Sequence, residues 1–490
     1  MESFLKLVAT DLYNRTQGDL AHTAVVFPNK RAGLFFNEHL AEQSDTPIWS
    51  PAYVSISELF RSLSIWEVGD PVKLVCELYK VFLHETQSKE TLDDFYFWGE
   101  MLISDFDDAD KNMVDTDNLF TNLQDLKNIM DDYTFLNNEQ EEAIQQFFQN
   151  FSIEHRTVLK ERFISMWDAL GNIYKKFHEV LSSRGIAYEG MLYRHVIEHL
   201  DVEALPYERY VFIGFNVLNK VEQTLFKKLQ EAGKAIFYWD YDEFYMSSHS
   251  FVNADEPYPH EAGEFIRRNL RDFPAELFNT LARPKEIHYI AAPTENAQAR
   301  YLPAWIRENL TKQEKETAIV LCNEALLQPV LHSLPDEVKH VNITMGFPLS
   351  QTPVYSFLTS LLELHTHGYN QHSGRYTYLS VVTLLKHPYT RQLSSNSESL
   401  EKELTKHNRF YPLPGELQRD EFLTLLFTPP SGSNLSLCLR ISEILQQIAG
   451  IYRNETEEDL YRESLFKAYT TVSRFRTLIE EGELTVRPET

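Results

Sequence analysis

TAVVFPNKRAGLFFNEHL, residues 23–40, is the stretch that decides the fold. Its apolar run Ala24–Phe27 predicts a short buried strand. Pro28-Asn29 breaks that run, and Ala32–Leu40 has the pattern of a helix that follows Lys30-Arg31. A strand, a sharp turn and a helix with basic residues at the junction present backbone amides and positive charge to phosphate groups. The stretch therefore predicts an α/β protein with a phosphate-facing turn.

The turn lacks the loop that would make it an ATP site. A phosphate loop has the pattern G-x-x-x-x-G-K-[ST], in which glycines let the backbone wrap the phosphates, Lys contacts them and a hydroxyl binds Mg²⁺. The chain has one Gly-Lys pair, Gly233-Lys234, and Ala235 follows it while Lys228 stands at the first glycine position. We therefore expect no nucleotide cofactor at this turn.

Similar apolar runs that end in turn residues recur along the chain and have helical sequence nearby. This alternation is typical of an open, doubly wound parallel sheet. The predicted strands are Ala24–Phe27, Tyr210–Gly214, Ala235–Trp239, Ile287–Ala291 and Ala318–Leu321. Long regions with apolar residues at helical spacing lie at about 56–200 and from about 354 to the end.

Composition favours a folded protein of several domains. The 490 residues are 43% hydrophobic and 13% aromatic, which predicts roughly three or four domains at ~100–200 residues each. Cys76, Cys322 and Cys438 lie far apart, so they predict no disulfide framework and no cysteine zinc site. No signal peptide and no apolar run of membrane-spanning length stands out. We expect a soluble, cytoplasmic protein with no membrane partner.

The formal net charge is −26. This charge opposes broad, nonspecific binding to nucleic acid, which depends on the release of counterions by Lys and Arg. It leaves room for a local basic channel on an acidic body, because acidic residues concentrate at 91–139 while basic pairs recur at Lys30-Arg31, Lys227-Lys228 and Arg267-Arg268.

One motif has metal-ligand spacing. Residues 195–199 spell H-x-x-E-H, the inverted form of a zinc-peptidase motif. On a helix, His195 and His199 would share a face and hold zinc, with Glu198 as the base. The alternative is an amphipathic helix with two half-exposed histidines, since no third ligand stands out downstream.

Other polar clusters are better explained without metal. Pro335–Lys339 contains the letters of a PD-(D/E)xK nuclease, but that chemistry needs its acids on separate elements. Asp105–Asp110 hints at a calcium loop, but Asp110 stands where glycine is obligatory. Asp240–Glu243 follows a predicted strand as a Walker B acid does, but without a phosphate loop a strand-end cap explains it better. Four scattered histidines are predicted to lie at the surface: His365, His367, His372 and His387.

Two turns at the predicted carboxyl edge of the sheet carry side chains suited to a nucleic-acid backbone. α/β folds bind ligands at this edge. The alternative is that these residues form turns and carry solvated charges. The candidate DNA contacts are Asn29, Lys30, Arg31, Asn216, Asn219 and Lys220.

The order of the segments resembles a superfamily 1 helicase core that has lost its motor parts. More narrowly, it resembles the AddB-type subunit of bacterial helicase–nuclease complexes and related Bacteroidetes proteins of the PD-(D/E)xK nuclease superfamily. The matching pieces span most of the chain: VVFPNKRAGLFFNEHL (25–40), FWGEMLISDFDDADK (97–111), YVFIGFNVLNKVEQTLFKKL (210–229), IHYIAAPTENAQARYLPAWI (287–306), AIVLCNEALLQPVL (318–331), VNITMGFPLSQTPVYSFL (341–358) and LLKHPY (384–389).

The resemblance implies RecA-like (P-loop NTPase-like) parallel-sheet domains with large all-helical insertions. It implies a first RecA-like domain from residues 1–60 plus 201–282, without a phosphate loop, and a helical insertion at 61–200. Residues 283–364 would begin a second RecA-like domain, and 365–490 would be an incomplete second insertion.

The resemblance also shapes the functional expectation. The second strand corresponds to the helicase Asp-Glu strand, yet it ends in Gly214-Phe215-Asn216, so both ATPase motifs are missing. The nuclease carboxylates of the family, and the iron–sulfur cluster of some members, lie C-terminal to the helicase-like part, and no residues here match them. We therefore expect an N-terminal fragment of a longer nuclease, without catalytic or metal residues of its own.

On this reading the chain is a non-catalytic, helicase-like module of a DNA repair or recombination nuclease. It would bind or route a DNA strand, with a helicase–nuclease subunit as a further partner. A protein–protein scaffold without nucleic-acid contact is the first alternative, and a metal-dependent hydrolase using His195, Glu198 and His199 is the second.

Overall fold

The computed structural model describes residues 3–120, 156–246, 263–269, 281, 283–309, 317–429, 433–452 and 459–484. The chain is a mixed α/β protein that is 61% helical and contains a parallel four-stranded sheet. It separates into two compact units, Met1–Arg283 and Pro284–Thr490. Among the described residues, no helix has the length and apolar character needed to span a membrane.

The first unit is built on the four-stranded sheet. The strands of this unit are β1 (Thr23–Phe27), β2 (Ala52–Ser55), β3 (Glu67–Val68), β4 (Ile186–Ala187), β5 (Arg209–Ile213) and β6 (Ala235–Tyr238). All neighbouring strands in the four-stranded sheet are parallel, and their spatial order is β2-β1-β5-β6. The strands β1, β5 and β6 confirm predicted segments, whereas β2 was not predicted.

Both faces of the two central strands are buried, which explains why the strands are continuous apolar runs. Val25 and Phe27 face a cluster that includes Val8, Leu12 and Phe36. Ala24, Val26 and their neighbours on β5 face the larger cluster of the unit. The sheet is therefore the middle layer of an α/β/α arrangement.

Helices of the first unit flank the sheet, and among the described residues they make up most of the sequence between β2 and β5. The small parallel pair β3–β4 joins the two ends of that helical stretch. The helices are α1 (Phe4–Thr16), α2 (Lys30–Ala41), α3 (Ile56–Leu63), α4 (Pro71–Thr86), α5 (Leu92–Lys111), α6 (Arg156–Ser183), α7 (Glu189–His199), α8 (Lys220–Glu231), α9 (Glu243–Met246) and α10 (Glu264–Asn269).

Helices α5 and α7 approach each other closely at a glycine. The amide of Gly190 donates to Oδ1 of Asp107 at 2.6 Å. A Cβ at Gly190 would lie 2.3 Å from the Asp107 carbonyl oxygen, so a larger residue would separate the helices.

Two predicted strands, Ile287–Ala291 and Ala318–Leu321, are wrong. Neither segment is a strand in the structure. Tyr289 is 92% exposed and Val320 is 82% exposed, so these apolar residues lack the burial that stabilises a parallel strand. A strand also needs a neighbour for its backbone hydrogen bonds, and the described residues pair neither segment.

Apart from one short pair of strands, the described elements of the second unit are helices and helical turns. The described residues of this unit form an apolar cluster that includes Phe357, Leu385 and Phe427. A short antiparallel pair, β7 (Tyr369–Asn370) and β8 (Arg375–Tyr376), accompanies the helices. These are α11 (Glu295–Asn309), α12 (Leu327–Leu331), α13 (Pro353–Thr366), α14 (Tyr378–Lys386), α15 (Pro388–Leu393), α16 (Ser397–Lys406), α17 (Pro414–Leu417), α18 (Glu421–Phe427), α19 (Asn434–Ile451) and α20 (Asp459–Glu480), with short 3₁₀ turns at Glu324–Leu326 and Leu349–Gln351. The finer division of the chain into four parts stays a prediction.

Candidate nucleic-acid interface at the carboxyl edge of the sheet

The carboxyl ends of the four strands meet at one edge of the sheet because all the strands are parallel. Strands β1 and β5 are direct neighbours, with Val26 opposite Phe212. The turns that follow them, 28–29 and 214–219, therefore start side by side. These two turns hold the candidate DNA contacts.

Asn29 is the N-cap of α2. Its backbone is extended, with φ −144° and ψ 155°, and its Oδ1 accepts a hydrogen bond from the amide of Ala32 at 3.3 Å. An Asn in this position satisfies an amide that the helix leaves without a partner. Capping thus accounts for this residue type at the turn, and the side-chain amide remains available as a donor.

Lys30 begins α2 and forms an ion pair with Glu58 of α3. The hydrogen bond from Lys30 holds the pKa of the Glu58 carboxyl below its usual value. Glu58 also accepts from the amide of Ser55 at 3.0 Å, as part of a capping box at the end of β2. The charge of Lys30 is therefore largely balanced, whereas the neighbouring Arg31 is exposed.

The turn after β5 has a similar design. Gly214 has φ +74°, a left-handed conformation that favours glycine. Asn219 is the N-cap of α8 and accepts from the amide of Glu222 at 2.9 Å, while Glu222 accepts from the amide of Asn219 at 3.1 Å. Asn216 and Lys220 are exposed.

The edge carries charges of both signs. Arg31, Lys220 and Lys30 are all exposed at this edge, and Lys30 is paired with Glu58. Asp240 follows β6 at the same edge, and burial raises the pKa of its carboxyl. Such a mixed edge suits a few backbone contacts better than a continuous basic channel.

The geometry of the first turn explains the missing ATP motif. Two residues, Pro28 and Asn29, connect β1 to α2. A phosphate loop needs about eight residues to wrap its ligand and bind Mg²⁺. The connection is too short for that loop.

Asp242, one of the acids after β6, serves local structure. Asp242 accepts from the amide of Phe244 at 3.0 Å and from the amide of Leu281 at 2.9 Å. These contacts fix the turn at the start of α9. Asp242 is thus a capping residue, which is the simpler of the two interpretations of this motif.

The H-x-x-E-H sequence lies on α7, as its spacing predicted. Its acid, Glu198, pairs with Arg194 at 3.0 Å. The imidazoles of His195 and His199 stack with centroids 4.3 Å apart, and His195 also packs on Trp66 at 4.0 Å. Burial, with help from His199, lowers the pKa of His195. The described residues contain no group of three or more side chains placed to hold a metal.

The acidic run Asp105–Asp110 forms the last turns of α5 and not a calcium loop. Its final residue, Asp110, is fully buried and accepts hydrogen bonds from the hydroxyls of Tyr174 and Tyr188, each at 2.5 Å. His178 lies 3.2 Å and Arg194 lies 3.3 Å from its oxygens.

Burial opposes ionisation of Asp110, but these partners outweigh burial and hold the pKa of its carboxyl below its usual value. Burial beside Asp110 raises the pKa of both tyrosines. The cluster ties α5 to α6 and α7, and sequence reasoning missed it.

Two further predictions can be compared with the structure. Lys339 donates to the carbonyl of Asp336 at 2.7 Å and Glu337 pairs with Arg307 at 3.2 Å, so the nuclease-like letters form a local turn. The predicted surface position of His365 is wrong, because this residue is 8% exposed and lies against the core of the second unit.

No protein-family model matches this chain, and no curated protein matches it either.

Proposed function

We propose that this chain is a non-catalytic, helicase-like module that binds or routes a DNA strand in a repair or recombination nuclease. The sheet edge carries the proposal, because it keeps the strand–turn–helix plan of a nucleotide-binding fold without the parts that handle ATP. The turn after β1 is two residues long, and the strand β5 ends in Gly214-Phe215-Asn216 without an acid. Both features agree with an AddB-type, RecA-like domain that has lost its motor.

The arrangement of the helices supports the same family. Among the described residues, most of the sequence between β2 and β5 is helical, and a helicase-like fold carries its first insertion at this place. The second unit adds no such support, because Ile287–Ala291 and Ala318–Leu321, the segments expected as strands of a second RecA-like domain, are not strands in the structure.

DNA contact is assigned to Arg31 and Lys220, with Asn29, Asn216 and Asn219 as donors and the exposed but ion-paired Lys30 in support. We expect the Arg31→Ala/Lys220→Ala variant to bind a fluorescein-labelled single strand of 20 thymidines roughly tenfold more weakly in low salt. The slope of log K against log salt should fall by about 1.4, because each lost contact with a single strand removes ~0.7.

Lys175→Ala/Lys176→Ala is the matched control. It removes two charges that are 57% and 54% exposed on α6, and it should leave the affinity and the slope nearly unchanged. If the Arg31→Ala/Lys220→Ala and Lys175→Ala/Lys176→Ala variants lose the same amount of DNA affinity, binding follows net charge alone. That result would contradict the assigned contacts. Magnesium-dependent ATP hydrolysis by the purified chain would contradict the loss of the motor.

A protein–protein scaffold without DNA contact is the second candidate. The ion pair that balances Lys30 and the net charge of −26 favour it. Titration of labelled DNA with the protein, followed by fluorescence anisotropy, separates the scaffold from the DNA-binding module. A scaffold shows no binding of single-stranded or duplex DNA even at about 20 mM salt, where phosphate contacts are strongest.

A further inference from the structure

An exposed aromatic patch lies on α5, the helix Leu92–Lys111 of the first unit. Phe97 is 64% exposed, Met101 is 42% exposed and Trp98 is 36% exposed. The rings of Phe97 and Trp98 pack edge to face with centroids 5.9 Å apart. We call these three residues the α5 patch.

The α5 patch lies opposite the buried side of the helix. Phe95, Leu102 and Phe106 point into the core of the first unit, and helical geometry places the patch on the other side of α5. Large apolar side chains grouped on a solvent face mark a surface that another molecule covers.

Carboxylates flank the α5 patch at both ends. Asp93 and Asp94 lie one turn before Phe97 and Trp98, and Asp105 lies one turn after Met101. Asp108 continues the same exposed face. The basic residue of this helix, Lys111, is held by Asp107 at 2.7 Å and by Glu189 at 3.5 Å, so it does not balance the exposed acids.

We propose that the α5 patch docks a basic amphipathic helix of a protein partner. Apolar side chains of that helix would cover Phe97, Trp98 and Met101, while its Lys and Arg residues would face the flanking carboxylates. Helix recognition of this kind uses anchors at spacings of three and four residues, and aromatic and Met side chains adapt well to such anchors.

The charge of the patch argues against other occupants. DNA and an anionic membrane surface would both bring negative charge to the carboxylates. A second copy of the chain would place the same acids against each other in a two-fold interface. Residues 121–155 carry seven acids and one base, Lys127, so they lack the complementary charge as well.

The ionised form of one carboxylate beside the patch, Asp105, is disfavoured in the free protein. Partial burial, with the neighbouring charge of Asp108, raises the pKa of Asp105. A cationic partner would relieve this repulsion, and the geometry of the patch places that partner along the helix.

The test uses three fluorescein-labelled probes of 18 residues: an amphipathic Leu/Lys helix, a Leu/Lys peptide of the same composition in scrambled order, and an amphipathic Leu/Glu helix. We expect the first to bind the full chain at least tenfold more tightly than the scrambled peptide, with no binding of the Leu/Glu helix. Its affinity should fall as salt rises.

Phe97→Ser/Met101→Ser should weaken binding of the amphipathic Leu/Lys helix about tenfold, as loss of two anchors implies. Asp105→Asn/Asp108→Asn should weaken it and reduce its dependence on salt. Trp49→Ser is the matched control, because Trp49 is 80% exposed in the same unit, and it should leave affinity unchanged.

Three results would overturn the proposal. The first is equal affinity for the ordered and scrambled Leu/Lys peptides, which indicates attraction to net charge alone. The second is unchanged affinity in a folded Phe97→Ser/Met101→Ser variant. The third is a concentration-dependent dimer in analytical ultracentrifugation that this variant converts to a monomer, which would make the patch a self-interface.

Discussion

His365 illustrates how one buried side chain couples the second unit to pH. The residue lies in the last turn of α13 and is 8% exposed. Burial and the nearby charge of Arg440 lower the pKa of its imidazole to about 4. The folded state therefore keeps this ring neutral at a pH where the unfolded chain protonates it.

The sign of the effect follows from proton uptake. As the pH falls from about 6.5 to about 4, the unfolded state binds a proton that the folded state does not, so the free energy of unfolding decreases by up to roughly 3 kcal/mol. We expect His365→Leu to flatten this dependence. Pulse hydrogen exchange at increasing urea, read on peptides from 353–366, measures it at each pH.

His372→Leu provides the comparison, since His372 is exposed in the same unit. It should leave the pH dependence intact. If the free energy of opening of the wild-type protein is constant between pH 6.5 and 4, the His365 ring takes up its proton in the folded state as readily as in the unfolded state. That result would contradict the lowered pKa of His365.

Single residues also mark where sequence reasoning stops. The run 105–110 has the appearance of a solvated acidic turn, because nothing local distinguishes Asp110 from its neighbours. Its partners Tyr174 and Tyr188 lie 64 and 78 residues away along the chain. Burial of a carboxylate among distant donors is a property of the packed helices, so no short motif predicts it.

At the scale of elements, the two capped helices at the sheet edge allow structure and recognition to be separated. Asn29→Ala should lower the free energy of unfolding by about 1 kcal/mol because it removes the cap of α2. Asn29→Asp keeps an oxygen in the capping position, so stability should change by less than ~0.5 kcal/mol.

Asn29→Asp also replaces the free amide donor with a negative charge. If Asn29 contacts a phosphate, this variant should bind the labelled thymidine strand more weakly while it unfolds at the wild-type urea concentration. Unchanged affinity in Asn29→Asp would leave Asn29 with capping alone. The same pair of substitutions at Asn219, which caps α8, provides an independent repeat.

Strand predictions succeeded where the strand is a continuous apolar run. β1 and β5 are such runs with both faces buried, and β6 is a half-buried edge strand that still reads as one apolar run, Ala235–Tyr238. β2 is equally short and also lies at an edge, and it was missed because its apolar run has three residues, Ala52–Val54, between Pro51 and Ser55. Ile287–Ala291 has the same apolar signal as β1, but a pattern of residues cannot reveal whether a neighbouring strand is present.

At the scale of the whole molecule, the two units have separate apolar cores. The clusters of the first unit lie within residues 8–229, and that of the second lies within 354–468. We expect residues 1–283, expressed alone, to fold and to unfold cooperatively in urea at the same midpoint as the first unit in the full chain. Circular dichroism and Trp fluorescence measure the transition.

The fragment experiment has a clear opposite outcome. A broad, non-cooperative transition of residues 1–283 would mean that the first unit depends on the remainder of the chain for its core. Gly190→Leu in the same fragment is a useful reference, because it should loosen α5 from α7 and broaden the transition.

The two-residue connection between β1 and α2 limits what substitutions can achieve at this turn. A loop of about eight residues cannot be rebuilt by exchanging side chains in a turn of two. No set of point mutations turns this connection into a phosphate loop, because the loop requires inserted residues, and an insertion here would also displace the Asn29 cap of α2. Substitutions at this edge can therefore change which side chains it presents, but they cannot give it a backbone that wraps a triphosphate.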